Sequence, residues 1–321
     1  MIVDAHVHVW GPGYLPQAFH AATANRWAYG VWPHRDPAAM FPKIEPGLMD
    51  PDASLLMGDF DRAGIDAGVC IAVDFSYAMG EEAAAPPEAI LRNFADLQEK
   101  HHGRFYAFAG VDPRRPGGLA LVRRAIADWG LKGFKVHPPT GFYPHDPMCF
   151  PFYETCLDLG VPVMFHTAMS PYPLRGYFAN PLYLAEVQHR FPGMTIVFGH
   201  AGHPFWWEQA AETVAGHPTS YLEISQWNYI VDKEPGEVAR RLARCRDLVG
   251  AQRILLGSDH FSGTRFSGDR SQLPRWVGFL RDLPRTGGQY GVRFTEEEMA
   301  LILGGNAQRI LKIPDRPAAG R

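Results

Sequence analysis

Short apolar runs alternate with amphipathic helical stretches along most of this chain, and that alternation limits the fold more than any other feature. Strands are expected at residues 2–10, 67–73, 104–109, 132–136, 161–165, 194–198, 220–224 and 254–256. Helices are expected between them at 53–63, 87–101, 117–129, 148–159, 182–191, 204–215 and 236–249, three of them stopped by Gly64, Gly130 and Gly160. Short, continuously apolar strands separated by amphipathic helices belong to a parallel sheet covered on both faces. Eight such units in 321 residues predict a (β/α)8 barrel. An open doubly wound sheet is the other architecture with this pattern, but no GxGxxG follows a strand. The barrel is expected as one domain over residues 1–313, with helices over 273–313 closing it and a loose tail at 314–321.

Residues 11–52 break the pattern. They carry many prolines and aromatics (Tyr14, Phe19, Trp27, Tyr29, Trp32, Phe41) with little periodicity. A long inserted loop is expected here, either packed on the barrel or a partner subunit or covering the active site. Net charge is −3, and there is no basic run, so a nucleic-acid partner is not expected. The first residues enter a strand without the features of a signal peptide, and no apolar stretch is long enough for a bilayer. Cys70, Cys149, Cys156 and Cys245 are scattered without a CxxC, which fits a reduced, cytoplasmic protein.

Barrel chemistry sits where strands end and βα loops begin. His6 and His8, two apart on the first strand, project to one side. The fourth strand supplies Lys135 and His137, the fifth His166, the sixth His200 and then His203, and the eighth Asp259. Metal-capable groups recurring at one end of five strands point to a metal site, and imidazole with carboxylate suits zinc or another divalent transition metal.

These residues resemble the amidohydrolase superfamily, in the branch called amidohydrolase family 2. The resemblance runs from Asp4-Ala5-His6-Val7-His8 through Gly257-Ser258-Asp259 to Gly305-Asn306-Ala307-Gln308-Arg309-Ile310-Leu311. It implies a distorted (β/α)8 barrel with a mononuclear or binuclear centre. His6, His8, His166 and Asp259 would be the ligands of one divalent ion per chain, zinc first and manganese second. In a binuclear site Lys135, carbamylated, and His200 would join them; one metal with unmodified Lys135 is favoured. A homodimer is also implied.

Such an ion lowers the pKa of a bound water towards neutrality. Asp259 would take and return the proton, and His200 would stabilise an oxyanion or shuttle protons. The main expectation is therefore a metal-dependent hydrolase, using a metal-activated water on a C–O or C–N bond of a small carboxylated or ring-bearing substrate. The alternative is non-oxidative decarboxylation of an aromatic or unsaturated acid in the same barrel. The family's decarboxylases resemble the chain less at the fourth strand, where Lys135 is followed by His137-Pro138. A non-catalytic scaffold has no need of a full ligand set. Lys135, His137, Arg175, Trp227 and Arg265 are candidate substrate-binding residues, with Tyr177, Trp206, Trp207 and Phe261 as further wall candidates. Glu223 is a candidate partner for a ligand histidine.

Overall fold

A computed structural model describes residues 1–261 and 271–314. Nine parallel strands form a curled barrel sheet: β1 Val3–His8, β2 Ala67–Ile71, β3 Phe105–Gly110, β4 Gly133–Val136, β5 Val163–His166, β6 Ile196–Gly199, β7 Ser220–Glu223, β8 Ile254–Leu255 and β9 His260–Phe261. Each neighbour in the series β8 to β1 pairs in order, and β9 pairs with the other edge of β1. β8 is the expected eighth strand, and β9 is a short further strand that follows it. Between them Ala5 N–H donates to Leu256 O (2.9 Å) and Asp259 N–H to His6 O (2.8 Å), which closes the barrel.

The helices are α1 Gln17–Tyr29, α2 Pro37–Leu48, α3 Ser54–Ala63, α4 Ser76–Met79, α5 Pro87–Lys100, α6 Gly118–Ala127, α7 Phe150–Asp158, α8 Leu184–Arg190, α9 Trp207–Ala215, α10 Pro235–Val249, α11 Gln272–Thr286, α12 Glu296–Ala300 and α13 Asn306–Leu311. No helix among the described residues is long and apolar enough to cross a membrane.

Strand parity separates two apolar layers. Outward residues such as Phe105, Phe134, Phe165 and Phe198 pack with Phe60 and Phe94 of the helices; each buried phenyl contributes about 1.5–3 kcal/mol. Inward residues Val69, Phe108, Met164, Val197 and Leu255 fill the barrel, together with Ala307 and Leu311 of α13. β1 switches parity along its length. Val3 and Ala5 belong to the inner layer, whereas Val7 and Val9 belong to the outer one. The register shift between Asp4 and Val7 is the cause, because one extra residue in a strand turns every later side chain to the other face. That bulge is what turns His6 and His8 into the barrel.

The segment 11–52 differs from expectation. It holds α1 and α2 rather than an inserted loop. In α2, Asp36 caps the N-terminus by accepting from Ala38 N–H (2.9 Å), and Pro37 occupies the first turn. Pro42 and Pro46 lie inside this helix on its exposed side, so they read as breakers in the sequence.

Candidate metal centre

The inward side chains at the C-terminal strand ends are polar where the layer below is apolar. His6 is anchored by its Nδ1, 2.7 Å from Glu223 Oε2. His8 is anchored by its Nδ1, 2.9 Å from Ile71 O. Both acceptors require the hydrogen on Nδ1, which leaves the Nε2 lone pair pointing inward. Those two Nε2 atoms stand 3.7 Å and 3.2 Å from Asp259 Oδ1. His6, His8 and Asp259 therefore present three electron-pair donors to one point. Ligands about 2.0–2.2 Å from a shared ion lie roughly 3–3.6 Å apart, so the spacing fits a divalent metal.

His166 stands beside this group rather than within it. Its Nδ1 is 3.0 Å from His200 Nε2. Ser225 Oγ donates to Glu223 Oε2 (2.8 Å) and so accepts from His200 Nδ1 (2.7 Å). His166 Nε2 lies 3.0 Å from Ala168 O, an acceptor only. Both inward nitrogens are then lone pairs facing each other, an arrangement that a cation relieves. The donor set as a whole fits a metal.

Asp259 sits at φ 55°, His200 at 69°, Ala201 at 44° and Gln226 at 66°. Left-handed non-glycine backbone is costly, and here it gathers at the ends of β6, β7 and β8. Asp4, fully buried, holds this turn by accepting from Ser258 N–H (3.0 Å), His6 N–H (3.1 Å) and Ser258 Oγ–H. Burial pushes Asp4 up to about 7. Gln226 Nε2 (3.0 Å) and Tyr229 Oη (3.3 Å) donate to Asp259 Oδ2. Burial works against ionisation of Asp259, and the hydrogen bond from Gln226 works for it. Lys135 Nζ is buried with no hydrogen-bond partner among the described residues, 3.4 Å from where a Cβ on Gly199 would stand. Burial pushes it down to about 8, against the pull of Glu223 and Asp259.

Gly257 is fixed by the same packing, since a Cβ there would lie 1.8 Å from Glu223 Oε1. Gly257→Ala is expected to cost about 1–3 kcal/mol and to displace Glu223, read as a lower melting temperature with weakened metal binding. Burial also lowers His6, His137, His166 and His200 well below their ordinary value and His203 to about 4. Below pH 6.5 the unfolded chain binds more protons at each of these rings than the folded one does, so their contribution to stability is full above 6.5 and lost in acid. Asp4 and Glu223, both raised to about 7, act in the opposite sense between about pH 4 and 7. Five imidazoles outnumber two carboxyls. The urea midpoint of metal-free protein is therefore expected to rise between pH 4.5 and 6.5.

Above the centre lies a cavity of about 690 Å³. Lys135, His137 and His203 line it, as do Trp10, Phe19, Trp27, Phe75 and Phe261. His8, Trp10 and Phe261 form a ring stack, with centroids 5.5 Å and 5.1 Å apart. Two expected substrate residues are misplaced. Trp227 is fully buried, packs on Trp207 and donates Nε1–H to His200 O (3.2 Å), so it supports the loop of His200 rather than meeting a ligand. Arg175 is exposed beside Gly141, outside the cavity. Trp206, Trp207 and Tyr177 are also outside it. Arg265 lies outside the described residues.

The sequence reading missed the α1 wall. Phe19, Ala22, Thr23, Arg26 and Trp27 share one helix face and line the cavity. Because this face meets a ligand cavity instead of a dry core, its residues are too mixed to show an apolar period.

A parallel barrel with a histidine–aspartate metal centre at its C-terminal strand ends defines a class of enzyme fold, and the comparisons give the family. The model of the Amidohydrolase family matches residues 3–313, and the chain belongs to that family. No curated protein matches it in sequence. Among solved structures, 5-carboxyvanillate decarboxylase from Sphingomonas paucimobilis is similar, with TM-score 0.66 and 17% identity over 98% of this chain and 99% of that one. A 5-carboxyvanillate decarboxylase from Novosphingobium aromaticivorans, complexed with manganese and 4-hydroxy-3-methoxy-5-nitrobenzoic acid, has TM-score 0.65 and 14% identity over 97% and 96%. An uncharacterized TIM-barrel protein from Bordetella bronchiseptica has TM-score 0.64 and 20% identity over 97% and 98%.

Proposed function

We propose that this protein is a metal-dependent, non-oxidative decarboxylase of a hydroxylated aromatic carboxylic acid. The observation that carries the reading is the aromatic-walled cavity standing directly over His6, His8 and Asp259, with the unpaired Lys135 Nζ at its floor. Two decarboxylases of the same fold, one complexed with manganese, favour this over the hydrolysis that the sequence led us to expect.

One divalent ion, manganese or zinc, would be held by His6, His8 and Asp259, with the facing lone pairs of His166 and His200 beside it as further donors. When bound it supplies a Lewis acid for the oxygens of the acid substrate. Trp10, Phe75 and Phe261 give the cavity an apolar, aromatic lining for the ring. Lys135 offers its ammonium to the carboxylate before it leaves. Asp259 moves the proton. Gln226 and Tyr229 fix Oδ2, so Oδ1 is the atom that takes the proton of a ring hydroxyl and passes it to the ring carbon bearing the carboxylate. The C–C bond then breaks, its electron pair returns to the ring, carbon dioxide leaves and a phenoxide remains.

The test is carbon dioxide release from a panel of hydroxybenzoates by protein of measured metal content. Release that disappears on chelation and returns with manganese or zinc supports the reading. Base consumption with lactones or amides, and no carbon dioxide from any acid, would restore the hydrolase.

A further inference from the structure

Four side-chain atoms in the cavity lining are buried without a hydrogen-bond partner among the described residues: Lys135 Nζ, His137 Nδ1, His203 Nδ1 and Asn228 Oδ1. A buried polar atom costs free energy until something pairs with it, so these atoms mark where a ligand supplies the partner. Lys135 and His137 belong to the floor. Glu223 and Asp259 act on the first, and the ring of the second is centred 4.4 Å from that of His166. His203 and Asn228 stand elsewhere, on the loops after β6 and β7, two strands that pair directly. His203 is 8% and Asn228 4% exposed. Neither side chain makes a hydrogen bond among the described residues.

Both residues are held in place by their surroundings. His203 N–H donates to His200 O (2.9 Å), and the His203 carbonyl accepts from Met169 N–H (3.1 Å). Asn228 lies between Trp227, which donates to His200 O, and Tyr229, which donates to Asp259 Oδ2. The two side chains are thus carried by the same loops that shape the metal centre, which fixes their position relative to the floor. Burial keeps the His203 ring neutral. A neutral imidazole offers one donor and one acceptor, and an amide offers both kinds whichever way it is turned. We propose that His203 and Asn228 form a second binding subsite, which takes a hydroxyl substituent, uncharged and able both to give and to accept a hydrogen bond, at a ring position away from the reacting carboxylate. This rests on the decarboxylase reading only for placing that carboxylate at the floor.

The test is calorimetric binding of 3- and 4-(hydroxymethyl)benzoate to metal-loaded protein, each against the ethylbenzoate of the same shape. A benzylic hydroxyl is too weak an acid to give its proton to Asp259, so the comparison reports on the subsite and not on the floor. Wild type is expected to bind the better hydroxymethyl isomer at least about fivefold more tightly than its ethyl counterpart. Asn228→Leu and His203→Phe are each expected to reduce that ratio, and the two together to abolish it. His203→Gln, which keeps a donor and an acceptor, is expected to retain part of it. An equal loss of both ligands in the variants would mean that the pair only shapes the wall, and would overturn the inference. Equal binding of alcohol and ethyl compound by wild type at both ring positions overturns it whatever the variants do, and so does a preference that survives the double substitution. If no acid releases carbon dioxide but the preference still depends on His203 and Asn228, the subsite stands and only the reaction falls.

Discussion

Asp259→Asn is expected to lower turnover by about two to four orders of magnitude while leaving the melting temperature of the metal-free protein near wild type. The substitution is chosen for its backbone. Asp259 lies at φ 55°, a region that asparagine and aspartate adopt more readily than other residues with a side chain. Asparagine also keeps an oxygen for the hydrogen bonds from Gln226 and Tyr229, so that contact survives if the amide turns its oxygen outward. The atom facing His6 and His8 then becomes an amide nitrogen. It has no lone pair for a cation and no capacity to take and return a proton. Metal analysis together with turnover separates the two losses. A variant that still holds metal but does not turn over assigns the proton to Asp259. A variant that turns over at the wild-type rate would remove Asp259 from the mechanism.

The fold and the clustering of polar residues at its strand ends were legible in the sequence for one reason. A parallel barrel buries both faces of every strand, so its apolar runs stand out, and the polar residues that end them are conspicuous by contrast. His6, His8, His166, His200 and Asp259 all lie where those runs stop. What was not legible depends on packing between distant elements. The bulge between Asp4 and Val7 decides which way His6 and His8 face, yet it is a property of pairing with β2 and leaves no pattern in β1. Trp227 and Arg175 follow strand ends as true pocket residues do, and nothing local tells an indole bound to His200 O from one that meets a ligand. The opposite error affected α1. Its mixed face concealed a helix, and with it Arg26, the arginine that lines the cavity.

Glu223→Gln is expected to weaken metal binding by at least about tenfold to a hundredfold, although it changes volume hardly at all. Glu223 is fully buried and accepts from four directions: His6 Nδ1, His200 N–H (3.2 Å), Ser225 N–H and Ser225 Oγ–H. A glutamine has one accepting oxygen. If that oxygen keeps the Ser225 N–H, the amide nitrogen faces three donors, and a buried donor left unpaired costs about 1–3 kcal/mol. The cheapest relief is for His6 to move its hydrogen from Nδ1 to Nε2, so that Nδ1 accepts from the amide. That relief puts a hydrogen on the nitrogen turned towards Asp259 and removes His6 as a ligand. The same exchange reaches His200 through Ser225, because a serine that no longer donates to Glu223 is free to donate to His200 Nδ1. One isosteric change at the end of β7 thus reverses the hydrogen placement on two of the four histidines around the centre. Metal titration of Glu223→Gln and Glu223→Ala decides whether this is tautomer control or plain support. If hydrogen placement is what matters, the glutamine variant binds metal no better than the alanine variant, despite its better packing. Wild-type affinity in the glutamine variant would show that His6 holds its tautomer without Glu223.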